Sequence, residues 1–330
     1  MKLVMFSPAA GTQRLGILLN DIIADMQLAH QALQGKTSFL LPALPHDILP
    51  FLQLGQPAMQ DAHIIEQYIK QNGPDGIPGM VQAQSVQLLS PVPRPTSMRD
   101  GYAFRQHVEA ARRNRGLEMI PEFDEIPIFY FTNHQAVFGP GPIPVRPAHM
   151  NQLDFELECA IVIGRQGSDI PASEADKYIA GYMVMNDWSA RALQMQEMKL
   201  NLGPAKGKDF ATSLGPWLVT PDELAERKIS TPFGDKYDLE MSCILNGERI
   251  STGNVKDMTW TFAQIIERAS YGVTLYPGDV IGSGTCGTGC FLELNGSKVY
   301  NPPLWLKDED TVICSIEMLG SLTNTVNLKV

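Results

Sequence analysis

Apolar and polar positions change their rhythm near residue 90. Before it, "KLVMF", "LGILL" and "DIIAD" are short apolar runs, which predict strands, with a turn at Asn20-Asp21. In "ADMQLAHQAL" and "QDAHIIEQYIK" the apolar residues recur every three or four positions, the spacing of a helix with one buried face. "SVQLLSPVPRPTSMRD" starts as a strand and continues as stiff, extended chain, because Pro91, Pro93 and Pro95 exclude a helix. It predicts a junction between a smaller N-terminal portion, residues 1–90, and a larger one, residues 91–330.

Beyond the junction, "DGYAFRQHVEAARRNRG" predicts a helix that stops at Gly116. The pattern then becomes strand-rich: "LECAIVIG", "GYMVMND", "PWLVT", "YDLEMSCILNGERI", "GDVIGSGT", "CFLELNG" and "TVICSIEML". Asn246-Gly247 within "LNGE" is a hairpin signal. Short helices are predicted at "SEADKYIA", "WSARALQMQEM" and "WTFAQIIERAS", and no internal repeat or low-complexity tract interrupts the order. The predicted class is α+β, mostly β, with a mixed β-roll or barrel rather than a regular βαβ layer.

Composition narrows the setting. The chain has 330 residues, 44% of them hydrophobic, ample for a sizeable core. A net charge of −10 argues against a nucleic-acid partner. No apolar run reaches the ~18 residues of a membrane span, and the N-terminus does not read as a signal peptide. The five cysteines do not suggest a disulfide framework, so a reducing, cytoplasmic setting is expected. Cys286 and Cys290 in "CGTGC" resemble half of a zinc site but lack a second Cys or His pair nearby, so a Gly-rich turn is the favoured reading.

Several stretches carry candidate chemistry. If "LDFELECAIVIG" is one strand, Asp154, Glu156 and Glu158 share a face, with Glu156 and Glu158 about 7 Å apart. Such acids can converge on a cation, form a glycosidase-type carboxylate pair, or simply meet solvent. Asp187 ends an apolar strand and either caps the next helix or serves a site with Arg191 and Gln194, which share a helix face. Asp100, Tyr102 and His107 precede a cluster of Arg112, Arg113 and Arg115. Lys206 and Lys208 lie in a Gly-bounded loop, from which a lysine can reach a developing anion. Glu293, read as a strand residue between Leu292 and Leu294, suits proton handling if partly desolvated.

Taken in order, "RDGYAFRQH", "LDFELE", "MNDWSARALQ", "GKDF", "SGT" and "LELNG" resemble the fumarylacetoacetate hydrolase superfamily from about Pro91 onward. The resemblance implies a β-sandwich roll or barrel as catalytic domain, a smaller N-terminal α/β domain, and a homodimer. It implies a divalent cation, Mg²⁺ or Ca²⁺ with Mn²⁺ possible, held by Asp100, Glu156, Glu158 and Asp187; an all-oxygen ligand set suits those ions. Matched residue by residue, His107 resembles the general base, Glu293 its acidic partner, and Lys208, Arg191 and Gln194 the groups that bind substrate oxygens. Tyr102, Tyr130, Thr285 and, in the arginine cluster, Arg115 resemble substrate contacts.

The implied activity is metal-dependent hydrolysis of a carbon–carbon bond in a small β-diketo acid. The alternatives are a decarboxylase, hydratase or isomerase of a related 2-keto acid, and a non-catalytic Ca²⁺-binding β domain. Two departures bear on the substrate. Only "CGTGCF" separates Thr285 from Leu292, where the hydrolases have a longer loop. The acidic residue that decarboxylase-type relatives place three positions after the histidine is Ala110 here, while Glu109 lies about 100° away on a helix.

Overall fold

The computed structural model describes residues 1–329. Lys2–Ser7, Arg14–Leu19 and Ile22–Asp25 form an antiparallel meander, and Asn20 turns with φ 51°, a left-handed conformation that Asn tolerates. Lys2–Ser7 then pairs with Thr212–Val219. The N-terminal strands therefore continue a twelve-stranded sheet whose middle is Thr212–Val219, Ile179–Asp187, Leu157–Ile163, Val280–Gly282 and Met98–Gly101, with Phe129–Phe131 at its far edge. A second, five-stranded sheet holds Glu240–Leu245, Glu248–Asn254, Thr311–Ile316, Gly320–Leu328 and Gly141–Val145. The mostly-β class predicted above is what the chain adopts.

Leu157–Ile163 explains the layering. Leu157, Cys159, Ile161 and Ile163 face a core shared with the second sheet, through Cys243, Val312, Cys314 and Leu322. Ala160 and Val162 face the other way, into a core with Met26, Ile48, Phe51 and Ile65 of the N-terminal helices. A strand covered on both faces needs apolar residues at every position, hence the run "AIVI" in place of alternation. The N-terminal helices Met26–Leu33 and Gln56–Asn72 fall where their periodicity places them. The first is capped by Asp25, whose side chain accepts the Leu28 N–H at 3.0 Å.

Two local expectations are corrected. "LDFELE" is not one continuous strand: Leu153–Asp154 pairs with Ser189–Ala190, the chain breaks at Phe155-Glu156, and Leu157 starts the next strand. The Asn186 side chain accepts the Glu156 N–H at 2.9 Å and fixes the break. "CFLELNG" is a helix, Phe291–Gly296, not a strand. Its apolar residues alternate in sequence, yet Asp154 accepts the Phe291 and Leu292 N–H groups, at 2.7 and 2.9 Å, and starts a helix there. The hairpin at Asn246-Gly247 forms as its residues demand, with both φ values positive.

Gly181 lies where the sheet admits no side chain. A Cβ there would stand 2.6 Å from the Val219 carbonyl oxygen. Gly181→Ala is expected to cost roughly 1–3 kcal/mol, the usual cost of overpacking, measured as a lower denaturation midpoint. An unchanged midpoint would mean the two strands separate there at little cost.

Candidate functional site

Strand pairing gathers acids from three segments at one end of the large sheet. Met98–Gly101 runs parallel to Val280–Gly282, with Asp100 opposite Gly282. Val280–Gly282 pairs with Leu157–Ile163, which pairs with Ile179–Asp187. Carboxylate oxygens of Asp100, Glu156, Glu158 and Asp187 consequently all lie within 4.8 Å of one another, and all four residues are buried. Asp187 does not cap the helix Arg191–Met198, whose N-cap is Ala190.

The surroundings leave this cluster short of positive charge. Lys208 Nζ donates to Asp187 Oδ2 at 2.8 Å and also to Glu156 Oε2. Arg191 Nη2 donates to Glu156 Oε1 at 2.7 Å, while its Nε donates to Asp154 Oδ2 at 2.8 Å. Tyr130 donates its hydroxyl to Asp187 Oδ2 at 2.7 Å. The Gly284 N–H lies 3.2 Å from Asp100 Oδ1 and 3.0 Å from Glu158 Oε2. Glu158 Oε1 and Asp187 Oδ1 are buried without any hydrogen-bond partner.

Proton affinities follow. Burial, then repulsion from Asp187, pushes Asp100 up to about 7. Burial and the neighbouring Asp100 drive Glu158 well above the usual carboxylate range. Asp187 is also raised by burial, although Lys208 opposes this. In Glu156 burial is overcome by Lys208 and Arg191, which bring it down to about 2. A carboxyl so firmly ionised is no general acid, which weighs against a glycosidase-type pair. Two partnerless buried oxygens and repelling carboxylates fit one hard dication among Asp100, Glu156, Glu158 and Asp187.

A cavity of about 740 Å³ opens onto the cluster. Asp100 and Glu156 line it, and Glu158 and Asp187 lie fully enclosed behind. His107, from the helix Arg105–Arg113, enters from one side. Its Nδ1 is 2.7 Å from Glu293 Oε2, and Glu293 Oε1 accepts the Thr288 N–H at 3.0 Å. Tyr102 meets the His107 ring edge-on, with centroids 5.8 Å apart. Tyr102, Arg115, Tyr130, Arg191, Gln194, Lys208 and Thr285 line the same cavity, so it unites the residues that the resemblance named. Arg115 is exposed at its edge and donates to the Ala111 carbonyl at 3.0 Å. Gln194 accepts from Arg191 Nη1 at 3.0 Å. A larger cavity, about 930 Å³, lies between the N-terminal helices and Arg165, Lys177 and Tyr178, away from every residue of this site.

Sequence reasoning missed the wall formed by Asn114, Gln152 and Trp305, none of which lies in a family-like motif. It also left Asp154 open. That residue is fully buried and joins the Phe291–Gly296 helix to Arg191. No local pattern hinted at this, since the Arg191–Asp154 contact spans 37 positions.

A family model described as fumarylacetoacetate (FAA) hydrolase C-terminal matches residues 96–327. The chain belongs to the fumarylacetoacetate hydrolase family. Among curated relatives, an oxaloacetate tautomerase of Rattus norvegicus, named as mitochondrial, is 32% identical over 289 residues, covering 86% of this chain and 81% of that protein. Among solved structures, a fumarylacetoacetate hydrolase of Exiguobacterium antarcticum is 25% identical over the whole of both chains, with a TM-score of 0.71. A maleylpyruvate hydrolase of Sphingobium, solved with manganese(II) and pyruvate, is 21% identical over the whole of both chains with a TM-score of 0.66, a likeness of fold. Fumarylacetoacetate hydrolase-fold proteins thus include hydrolases and tautomerases. No helix among the described residues is long and apolar enough to cross a membrane.

Two outcomes test the cluster. Asp100 has its proton affinity raised in the folded chain from the ordinary 3.8 to about 7. Between those limits the native state keeps a proton that the unfolded chain releases, so stability must fall as pH rises through the window. In chelator, the melting temperature is expected to drop from pH 4 to pH 7 (about the interval set by those two limits), and a divalent cation is expected to restore most at the upper end. A flat profile would mean the acids are not crowded. Second, a Cβ at Gly282 would stand 2.7 Å from Asp100 Oδ1 and 2.9 Å from Glu158 Oε2. Gly282→Ala is therefore expected to abolish cation-induced thermal stabilisation; retention of the wild-type shift would place the ion elsewhere.

Proposed function

We propose that this protein is a divalent-cation-dependent enzyme of small 2-oxo acids, and that its reaction is keto–enol tautomerisation of an oxaloacetate-like acid. The observation that carries the reading is a histidine held by a buried carboxylate, His107 with Glu293 at 2.7 Å, in one cavity with the four-acid cluster. Asp100, Glu156, Glu158 and Asp187 would hold the cation, magnesium or calcium first and manganese third, since all donors are oxygens. When bound, the ion supplies Lewis-acid polarisation of the substrate's oxygens.

The chain's own residues do the rest. With Nδ1 turned to Glu293, His107 presents Nε2 as the base. It takes a proton from the carbon next to the carbonyl, leaving the electron pair on the carbonyl oxygen as an enolate. Lys208 stays protonated, because Asp187 and Glu156 overcome the effect of burial, and with Arg191 it stabilises the negative oxygen. Return of the proton to that oxygen gives the enol, so atoms and charge balance. Tyr102, Tyr130, Gln194 and Thr285 orient the substrate, and Arg115 meets its outer carboxylate.

Tautomerisation is ranked first because the rat relative, at 32% identity over most of both chains, is an oxaloacetate tautomerase. Carbon–carbon hydrolysis of a β-diketo acid stands second, favoured by the same pair, which equally suits taking a proton from water. In that case hydroxide adds to the carbonyl, Lys208 and Gln194 hold the oxyanion, and the carbon–carbon bond breaks with its electrons leaving as an enolate. The homodimer, the cytoplasmic setting and the division into 1–90 and 91–330 belong to the proposal too. Exposed Phe131, on the edge strand Phe129–Phe131, supports the dimer, and the start of the family match at residue 96 supports the division.

The test is product identification with metal-replete protein, offered oxaloacetate, acylpyruvates and fumarylpyruvate. The expected result is faster enol–keto equilibration of oxaloacetate with no loss of carbon. Release of two acids from an acylpyruvate, without that equilibration, would give hydrolysis precedence. His107→Ala is expected to lower turnover by about 10²–10⁴-fold, the range for a general base, and Glu293→Gln by less. Near-wild-type rates in His107→Ala would overturn its role.

A further inference from the structure

One motif is not absorbed by this site. Of the two cysteines in "CGTGC", Cys286 belongs to the main apolar core with Cys243 and Cys314, whereas Cys290 does not. Cys290 Sγ, a ring nitrogen of His107 and a carboxylate oxygen of Glu156 lie within 4.8 Å of one another, with all three residues buried. The cysteine's place is fixed, since it immediately precedes the helix whose first N–H groups Asp154 holds.

We propose that Cys290, His107 and Glu156 form a second metal site, one that takes Zn²⁺ and stops turnover when filled. One sulfur, one nitrogen and one carboxylate oxygen is a zinc donor set, and a thiolate is a poor ligand for magnesium or calcium. Tetrahedral zinc with bonds of ~2.0–2.3 Å needs its ligand atoms roughly 3.3–3.8 Å apart. Atoms already within 4.8 Å need close by at most about 1.0–1.5 Å. His107 is also prepared as a ligand. Its Nδ1 faces the Glu293 carboxylate, the arrangement that orients a metal-bound imidazole and strengthens its Nε2. His107 and Glu156 both line the cavity, which gives the ion an entry path and leaves a fourth position for water. On binding, the Cys290 S–H bond breaks, its proton passes to solvent, and a sulfur–zinc bond forms; nothing is oxidised or reduced.

The two metal sites share Glu156, so a hard ion and zinc compete. That zinc inhibits rests on the reading of His107 as the base; that it binds does not. Co²⁺, a spectroscopic stand-in for zinc, added to the full-length protein in excess Mg²⁺, is expected to produce a thiolate-to-cobalt charge-transfer band at one equivalent, erased by Zn²⁺. Cys290→Ser is expected to lose the band and at least about tenfold in zinc affinity, while Cys286→Ser keeps both. Absence of the band in the wild type, or its survival in Cys290→Ser with an unchanged melting temperature, would overturn the site. If no 2-oxo acid is turned over, the functional reading fails and the cobalt band still decides the site. If turnover is found, zinc is expected to inhibit the wild type and to inhibit Cys290→Ser at least tenfold less, roughly in line with the affinity loss; equal inhibition of both would refute the blocking role.

Discussion

Excess negative charge enclosed at one end of a sheet is the constraint around which the rest is arranged. Four carboxylates within 4.8 Å are faced by Lys208 and by an arginine that Asp154 shares. In a medium of low effective dielectric such repulsion is met by bound protons, by fixed cations, or by a metal ion. The chain uses the first two within itself: Glu156 stays ionised between Lys208 and Arg191, while Asp100 and Glu158 hold on to protons. The partnerless oxygens of Glu158 and Asp187 fit the third. Close strand packing makes this tolerable, because Gly282 lets two carboxylates approach a neighbouring backbone.

The same arrangement explains why related folds carry out different reactions. An imidazole base beside cations and a chelating acid cluster stabilises an enolate however that enolate arises, by loss of a proton from carbon or by rupture of a carbon–carbon bond. Which route is taken depends on what the wall of the cavity holds against His107: a C–H group or a water molecule. Asn114, Gln152 and Trp305 belong to that wall.

Much of this was readable in the sequence, unevenly. Helical periodicity located Met26–Leu33, Gln56–Asn72 and Arg105–Arg113, and Asn246-Gly247 located a hairpin, since each signal is local. Glu156, Glu158 and Asp187 stand out as carboxylates beside apolar runs, but only the resemblance to the family joined them with Asp100 in one cluster. Two assignments failed where a distant partner overrode local pattern. "CFLELNG" alternates like a strand, but Asp154 satisfies its first N–H groups as a helix. "LDFELE" reads as one strand, but the Asn186 side chain takes the Glu156 N–H and interrupts it. Both contacts span 30 or more residues, and no window of sequence contains them.

Asp154 has a wider consequence. Through Arg191 it grips Glu156, and through the Phe291 and Leu292 amides it sets the helix that carries Glu293. The segment that carries Glu156 and the helix that carries Glu293 are thus mechanically one part, braced by a single enclosed carboxylate. Neither can drift without dragging the other. A change at that carboxylate is therefore felt on both sides of the pocket at once, whereas Arg115, Met195 and Met198 border the cavity without bonding to Asp154.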